Sequence, residues 1–158
     1  MNARPYESAD LRKVIETYTA SIHQLAAAYY SREQIEAWAP VEADLTRWEE
    51  RLATLHTVVV ESGAGVAGFA SYNDDGYLDL LFTHPGCARR GVARSLLQRI
   101  ESELQRRGII RVMTHSSLAA RPFFDQQGFV VDAEECVECR GVMLRRFAMH
   151  KLLHTAAE

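Results

Sequence analysis

Ala88-Arg89-Arg90-Gly91-Val92-Ala93 brings together guanidinium charge, a glycine and the start of a helix, which are the parts needed to hold an anion. The first turn of a helix carries backbone N–H groups with no intrahelical partner, and the aligned peptide dipoles put partial positive charge there. Gly91 lets the main chain approach a ligand closely and Ala93 keeps the turn slim, while Arg89, Arg90 and Arg94 add full charges beside the amides. A pyrophosphate would satisfy all of them. The segment lacks the Gly-Lys-Ser/Thr ending of a nucleotide P-loop and the second and third glycines of a dinucleotide fingerprint, which argues against both.

The elements that must position this cradle are legible on either side of it. Tyr77-Leu78-Asp79-Leu80-Leu81-Phe82 is an apolar strand broken by His84-Pro85-Gly86, with His84 assigned to the turn. Val92, Leu96, Ile100 and Leu104 then recur at i,i+4, with Leu97 alongside, so a helix packs one stripe inward until Gly108 stops it. Upstream, Arg4-Pro5-Tyr6 reads as a short strand. Asp10 is expected to cap a helix bearing Val14, Ile15, Tyr18 and Ile22, Ser31 to cap a second that Pro40 ends, and Asp44 to open a third running to Leu55. His56 to Glu61 and Val66 to Tyr72 are strands around a turn at Ser62-Gly63-Ala64-Gly65, and Asp74-Asp75-Gly76 leads into the fourth strand. A fifth strand ending at His115, a short helix capped by Ser117, and a terminal hairpin closed near Arg140-Gly141 complete the order. That order predicts an α/β (α+β) mixed sheet, and no linker or repeat divides residues 1–158, so a single domain is expected.

Composition narrows the classes. The 158 residues are 47% hydrophobic and 25% charged, enough to bury a core, and the net charge of -3 gives no global basic field for nucleic acid. The amino terminus has no apolar signal core and no apolar run approaches the ~18 residues of a membrane span, so neither nucleic acid nor membrane is expected as a partner, and a cytoplasmic location is. Three cysteines fit reduced thiols better than a disulfide framework. Cys136-x-x-Cys139 with His150-x-x-x-His154 has zinc-ligand spacing, but it falls on the terminal hairpin with no finger helix, so no metal is expected.

Ala88 to Ala93 resembles the acetyl-CoA-binding motif of the GNAT N-acetyltransferase superfamily, Gln/Arg-x-x-Gly-x-Gly/Ala; Gly91 and Ala93 match, and Ala88 departs from it. The stretch from Ser117 to Phe129 resembles the family's second signature, with Ala120, Phe123, Gly128 and Phe129 matching. Phe124 stands where many relatives carry a tyrosine that protonates the departing thiolate, and a benzyl side chain has no proton to give. Ala27-Ala28-Tyr29-Tyr30-Ser31, Ile35 to Pro40 and the tail from Arg140 to Met149 are similar to a YafP-type bacterial branch of the family.

The resemblance implies a GNAT fold: a mixed, mostly antiparallel twisted sheet of six to seven strands, splayed between strands 4 and 5 and flanked by helices. It also implies acetyl-CoA as co-substrate. The pyrophosphate would take the amides of Arg89, Arg90, Gly91, Val92, Ala93 and Arg94. Pantetheine would pair with the backbone of Leu81, Phe82 and Thr83, and its thiol end would run beside Ser117, Ala120, Phe123 and Phe124. The implied reaction is direct attack of a primary amine, on a small molecule or a peptide, upon the thioester. Asp79 and His115 are candidate bases, with an exposed strand residue as the competing reading for Asp79 and a solvated loop histidine as the stronger one for His115, and Tyr77, Tyr72, Ser117 or solvent could replace the missing acid. Tyr29, Tyr30 and Trp38 are candidate walls of an acceptor pocket, with core packing as the competing reading for Trp38. A non-catalytic acyl-CoA sensor and a zinc-stabilised module are the alternatives, and assembly as a homodimer stays open.

Overall fold

Val58, Val59 and Val60 show how one strand serves two cores: Val58 and Val60 pack on one side of the sheet and Val59 on the other. The computed structural model describes residues 1–63 and 65–154. In chain order these form β1 (Ala3–Pro5), a 3-10 turn (Ser8–Asp10), α1 (Leu11–Leu25), α2 (Arg32–Trp38), α3 (Leu45–Ala53), β2 (His56–Ser62), β3 (Gly65–Tyr72) and β4 (Tyr77–Thr83). A second 3-10 turn (Pro85–Cys87) leads to α4 (Val92–Arg106), β5 (Arg111–Ser117), α5 (Arg121–Gln126), β6 (Val130–Cys139) and β7 (Val142–Leu152). The turn expected between β2 and β3 includes Ala64, which lies outside the described residues.

The seven strands form one sheet in the order β1-β2-β3-β4-β5-β7-β6. Every pairing is antiparallel except β4 with β5, where the crossover through α4 makes the strands parallel. That parallel ladder holds only Tyr77 opposite Met113 and Leu78 opposite Thr114, reinforced by Thr114 Oγ1 donating to Leu78 O at 2.9 Å. Beyond Leu78 the two strands part, as the expected splay between strands 4 and 5 requires.

One face of the sheet is covered by α4 and α5. Leu96, Leu97, Ile100 and Leu104 are fully buried there, each contributing about 1.5–3 kcal/mol by leaving water. The start of α4 can lie against β3 because position 68 is glycine: a Cβ there would fall 2.5 Å from Val92 Cγ1 and 2.9 Å from Phe82 O. On the opposite face α1, α2 and α3 enclose Val14, Ile22, Val59, Phe69 and Leu80. Ser31 caps α2 in a reciprocal box with Gln34, and Asp44 caps α3 through the Arg47 N–H at 3.2 Å.

Several local expectations change. Asp10 stands at the start of α1 but makes no side-chain cap, because both its oxygens take the Arg4 guanidinium at 2.8 Å and one takes the Glu7 N–H. The third helix ends at Ala53, since Thr54 turns back on Arg51 O through both its N–H and its hydroxyl. Ser117 Oγ accepts the Ala120 N–H at 3.0 Å, bracing the loop ahead of α5 rather than capping the helix itself. The hairpin turn is the expected Arg140-Gly141, both residues at positive φ, as a two-residue turn matched to strand twist requires. Gly68→Ala should destabilise the chain by about 1–3 kcal/mol in urea unfolding, because Phe82 O is backbone and cannot swing away.

Candidate active site

Asp79 lies where simple strand alternation breaks. In the β3–β4 ladder Ser71 faces Leu80 and Tyr72 faces Leu78, so Asp79 is the extra residue of a bulge. As a result Leu78 packs in the α4 core and Leu80 in the α1 core, where regular alternation would have put both on one face. Asp79 and Leu80 both line a cavity of about 810 Å³ on the α1–α3 side of the sheet. Its Oδ2 accepts from Arg51 Nε at 3.0 Å, Arg51 being one turn of α3 beyond Arg47 on the same cavity wall.

Tyr77 and His115 meet at the end of that cavity, from strands that are adjacent only here. Tyr77 Oη lies 2.7 Å from His115 Nδ1, and His115 Nε2 lies 3.4 Å from Glu135 Oε1, which also takes Arg146 Nε at 3.0 Å. A proton on Nε2 faces the Glu135 carboxylate, which can only accept, and leaves Nδ1 to accept from the Tyr77 hydroxyl. Burial and then Arg146 hold the His115 pKa below its ordinary value, with Glu135 and Asp79 opposing them, so the ring is neutral at neutral pH. Burial and the Asp79 charge push the Tyr77 phenol up, which keeps its proton in place.

The aromatic wall consists of more rings than the sequence pointed to. Trp48 and Tyr18 meet edge-on at 4.7 Å, Tyr18 and Phe82 at 4.7 Å, and Trp38 meets Tyr30 at 5.4 Å and Phe82 at 6.5 Å. Burial pushes the Tyr18 phenol up to about 12, so it stays neutral. Trp38 and Tyr30 line the cavity, whereas Tyr29 is 50% exposed and does not. Tyr30 also works as a staple: its hydroxyl donates to Arg145 O at 2.7 Å and accepts the Leu118 N–H at 2.9 Å, tying the turn between α1 and α2 to β7 and to the loop after β5.

The candidate anion cradle sits at the head of α4. Gly91 is its N-cap at φ 82°, a left-handed conformation that suits glycine, and a Cβ there would meet nothing within 4 Å. Arg89 also takes positive φ, and Arg89, Arg90 and Arg94 are exposed. Ser95 N–H bonds to Gly91 O at 3.0 Å as the first rung of the helix, so the amides of Val92, Ala93 and Arg94 point out of its end. Leu81, Phe82 and Thr83 pair with β3 on one edge, while their other edge faces the splay. His84 stays in the turn, its Nδ1 accepting from the Gly86 N–H.

Phe124 is 4% exposed and packs edge-on against Phe123 and Phe129, so it belongs to the α4-side core, while Ala120 and Phe123 are half-buried against that core. Tyr72 is buried in the same core, away from Tyr77. Among the described residues no group of three or more His, Cys, Asp or Glu converges as metal ligands; Cys136 is exposed, and Cys139 Sγ donates to Ala37 O.

Arg51, Glu135 and Arg146 escaped the sequence reading, although two signals pointed to them. Counting outward by equal steps from Arg140-Gly141 sets Glu135 opposite Arg146, and Arg47 and Arg51 share a helix face at i,i+4 with Trp48 between them.

A seven-stranded sheet opened between its parallel pair, with an amide-rich helix end at the opening and a polar pair in a cavity beside it, defines an acyltransferase class. The chain belongs to the GNAT acetyltransferase family, whose domain matches residues 26–151. The N-acetyltransferase YafP of Escherichia coli strain K12 is 35% identical over 149 residues, covering 92% of each chain. A GCN5-related N-acetyltransferase structure from Rhodopseudomonas palustris superposes with a TM-score of 0.92 at 32% identity, covering 96% of this chain and 95% of that one. A Salmonella typhimurium structure, yncA with acetyl-CoA, shares the fold at a TM-score of 0.69 and 23% identity, covering 100% of this chain and 96% of its own. Among the described residues no helix is long and apolar enough to cross a membrane.

Tyr30→Phe removes both hydrogen bonds of the staple and leaves the Leu118 N–H and Arg145 O without it. A loss of about 1–3 kcal/mol in thermal or urea unfolding is expected.

Proposed function

We propose that the chain, acting as one catalytic domain, transfers the acetyl group of acetyl-CoA to a primary amine by direct attack. The observation that carries this reading is the Tyr77–His115–Glu135 row, aimed into a cavity beside the open β4 edge. A sensor needs the cradle but has no use for such a row. In this reading the pyrophosphate rests on the amides from Arg89 to Arg94 and pantetheine adds to β4 along Leu81, Phe82 and Thr83. The thiol arm then runs beside Ser117, Ala120 and Phe123, with Phe124 supporting them from the core.

A primary ammonium has a pKa of ~10 and must lose a proton before it can attack. The Asp79 carboxylate holds the ammonium in place. Tyr77 Oη takes its proton as the phenol passes its own to the neutral His115 Nδ1, and Glu135 steadies the imidazolium that results. The amine nitrogen then bonds to the thioester carbonyl carbon, and negative charge grows on the oxygen, where one fixed backbone N–H of the β4 edge is worth ~3 kcal/mol. Collapse breaks the C–S bond. One of the two ammonium protons returns through Tyr77 to the coenzyme thiolate and the other leaves to solvent, which replaces the acid that Phe124 cannot be.

Gly91→Trp is expected to abolish acetyl-CoA binding in calorimetry, because the indole would occupy the place of the pyrophosphate; unchanged affinity would sink the cradle assignment. The pH dependence tests the relay separately. The active form carries neutral His115, so the rate should fall as pH drops through a pKa below the ordinary ~6.5. Glu135→Gln leaves Arg146 unopposed and should move that limb to still lower pH, whereas a limb that stays put in both Glu135→Gln and His115→Ala removes His115 from the proton path. Asp79→Asn should raise KM for the amine and leave coenzyme affinity as it was.

A further inference from the structure

We infer that the acceptor is an aromatic α-amino acid or a molecule sharing its three groups: a flat ring, an ammonium and a carboxylate one carbon apart from it. This rests on the acetyl-transfer reading of the cavity. The recognition device is the Arg51–Asp79 pair. Only Nε of Arg51 is used, at 3.0 Å from Asp79 Oδ2, so among the described residues its terminal nitrogens have no partner and can fork a carboxylate. Asp79 Oδ1 is similarly left for an ammonium. An amino acid carries the two opposite charges side by side, so it docks against an adjacent Arg–Asp pair with each charge facing its complement.

Arg47 extends the anionic preference. It lines the cavity one turn from Arg51, and among the described residues its guanidinium meets no partner. Two guanidinium groups on one wall repel a polycationic acceptor such as a polyamine. Nor do the rings form a vacant cage for a second cation, since the Arg51 guanidinium already lies 5.8 Å from the Trp48 ring centroid. Glu42, Asp44 and Glu138 also line the cavity, as do Arg140, Arg145 and Arg146, so charges of both signs face it, which favours a zwitterion over a simple anion or cation.

The ring requirement comes from the aromatic side chains of the cavity. Trp38 and Trp48 are half-buried and linked through Tyr18 and Phe82, so each indole presents part of its surface to the cavity. A ring entering there makes edge-to-face contacts of the kind these side chains already make with one another. A cavity of about 810 Å³ accepts a side chain of that size together with the thioester arm. The transfer balances as before: the α-ammonium loses its protons, the N–C bond forms, the C–S bond breaks, and the products are an N-acetyl amino acid and the coenzyme thiol.

Calorimetry on the CoA-saturated protein tests this with L-tryptophan, tryptamine, L-alanine and spermidine. Tryptophan should bind at least about tenfold more tightly than tryptamine, which lacks the carboxylate, and than alanine, which lacks the ring. Arg47→Ala should shrink the tryptophan-to-tryptamine ratio, chiefly by weakening tryptophan. Equal binding of tryptophan and tryptamine, a preference for spermidine, or no binding by any of the four while CoA binds would overturn the inference. Selective tryptophan binding with no thiol release from acetyl-CoA would keep the amino-acid site and overturn the acetyl-transfer reading instead.

Discussion

The two residue pairs that join β4 to β5 set the terms for the rest of the molecule. Because the connection is parallel it needs a long crossover, which α4 supplies, and the helix start is thereby delivered to the end of the sheet where the strands part. Had the ladder continued, the edge of Leu81 to Thr83 would be closed and no arm of a coenzyme could lie along it. β5 instead continues on its other side with β7, from Arg111 to Ser117, so it stays anchored in the sheet while leaving β4.

Two further devices hold that opening in shape. Tyr30, in the turn between α1 and α2, bonds to Arg145 O of β7 and to the Leu118 N–H after β5, and so fixes the β5 side of the opening. The Asp79 bulge shifts β4 by one residue, which brings Asp79 and Leu80 to the cavity side and keeps Leu78 in the opposite core. A carboxylate is thus brought to the cavity beside the parallel junction. Gly68 allows Val92 to seat against β3, and so sets how close the cradle lies to that junction.

The proton chemistry is a product of the same arrangement. Tyr77 stands opposite Met113 in the short parallel ladder, His115 follows two residues further along β5, and Glu135 reaches the imidazole from the edge strand across β7. Burial lowers the His115 pKa and raises that of Tyr77, so both groups are neutral when they meet. Phe124, locked among Phe123 and Phe129, has no proton to give.

Element order, the apolar stripe of α4, the caps at Ser31 and Asp44, the Arg140-Gly141 turn and the Gly91 cradle were all written in local patterns: periodicity, hydrogen-bonding side chains and a glycine at a helix start are properties of neighbouring residues. The sequence also placed Tyr77, Asp79 and His115 at the right strands. It could not assign them partners. Arg51 meets Asp79 across 28 positions and Tyr77 meets His115 across 38, and such contacts depend on strand order, register and a bulge that alternation alone misreads. Asp10 shows the limit at short range too, since a residue suited to cap a helix is held by Arg4 instead. Local stereochemistry is encoded residue by residue, whereas the company a polar side chain keeps is settled only when the sheet has closed around it.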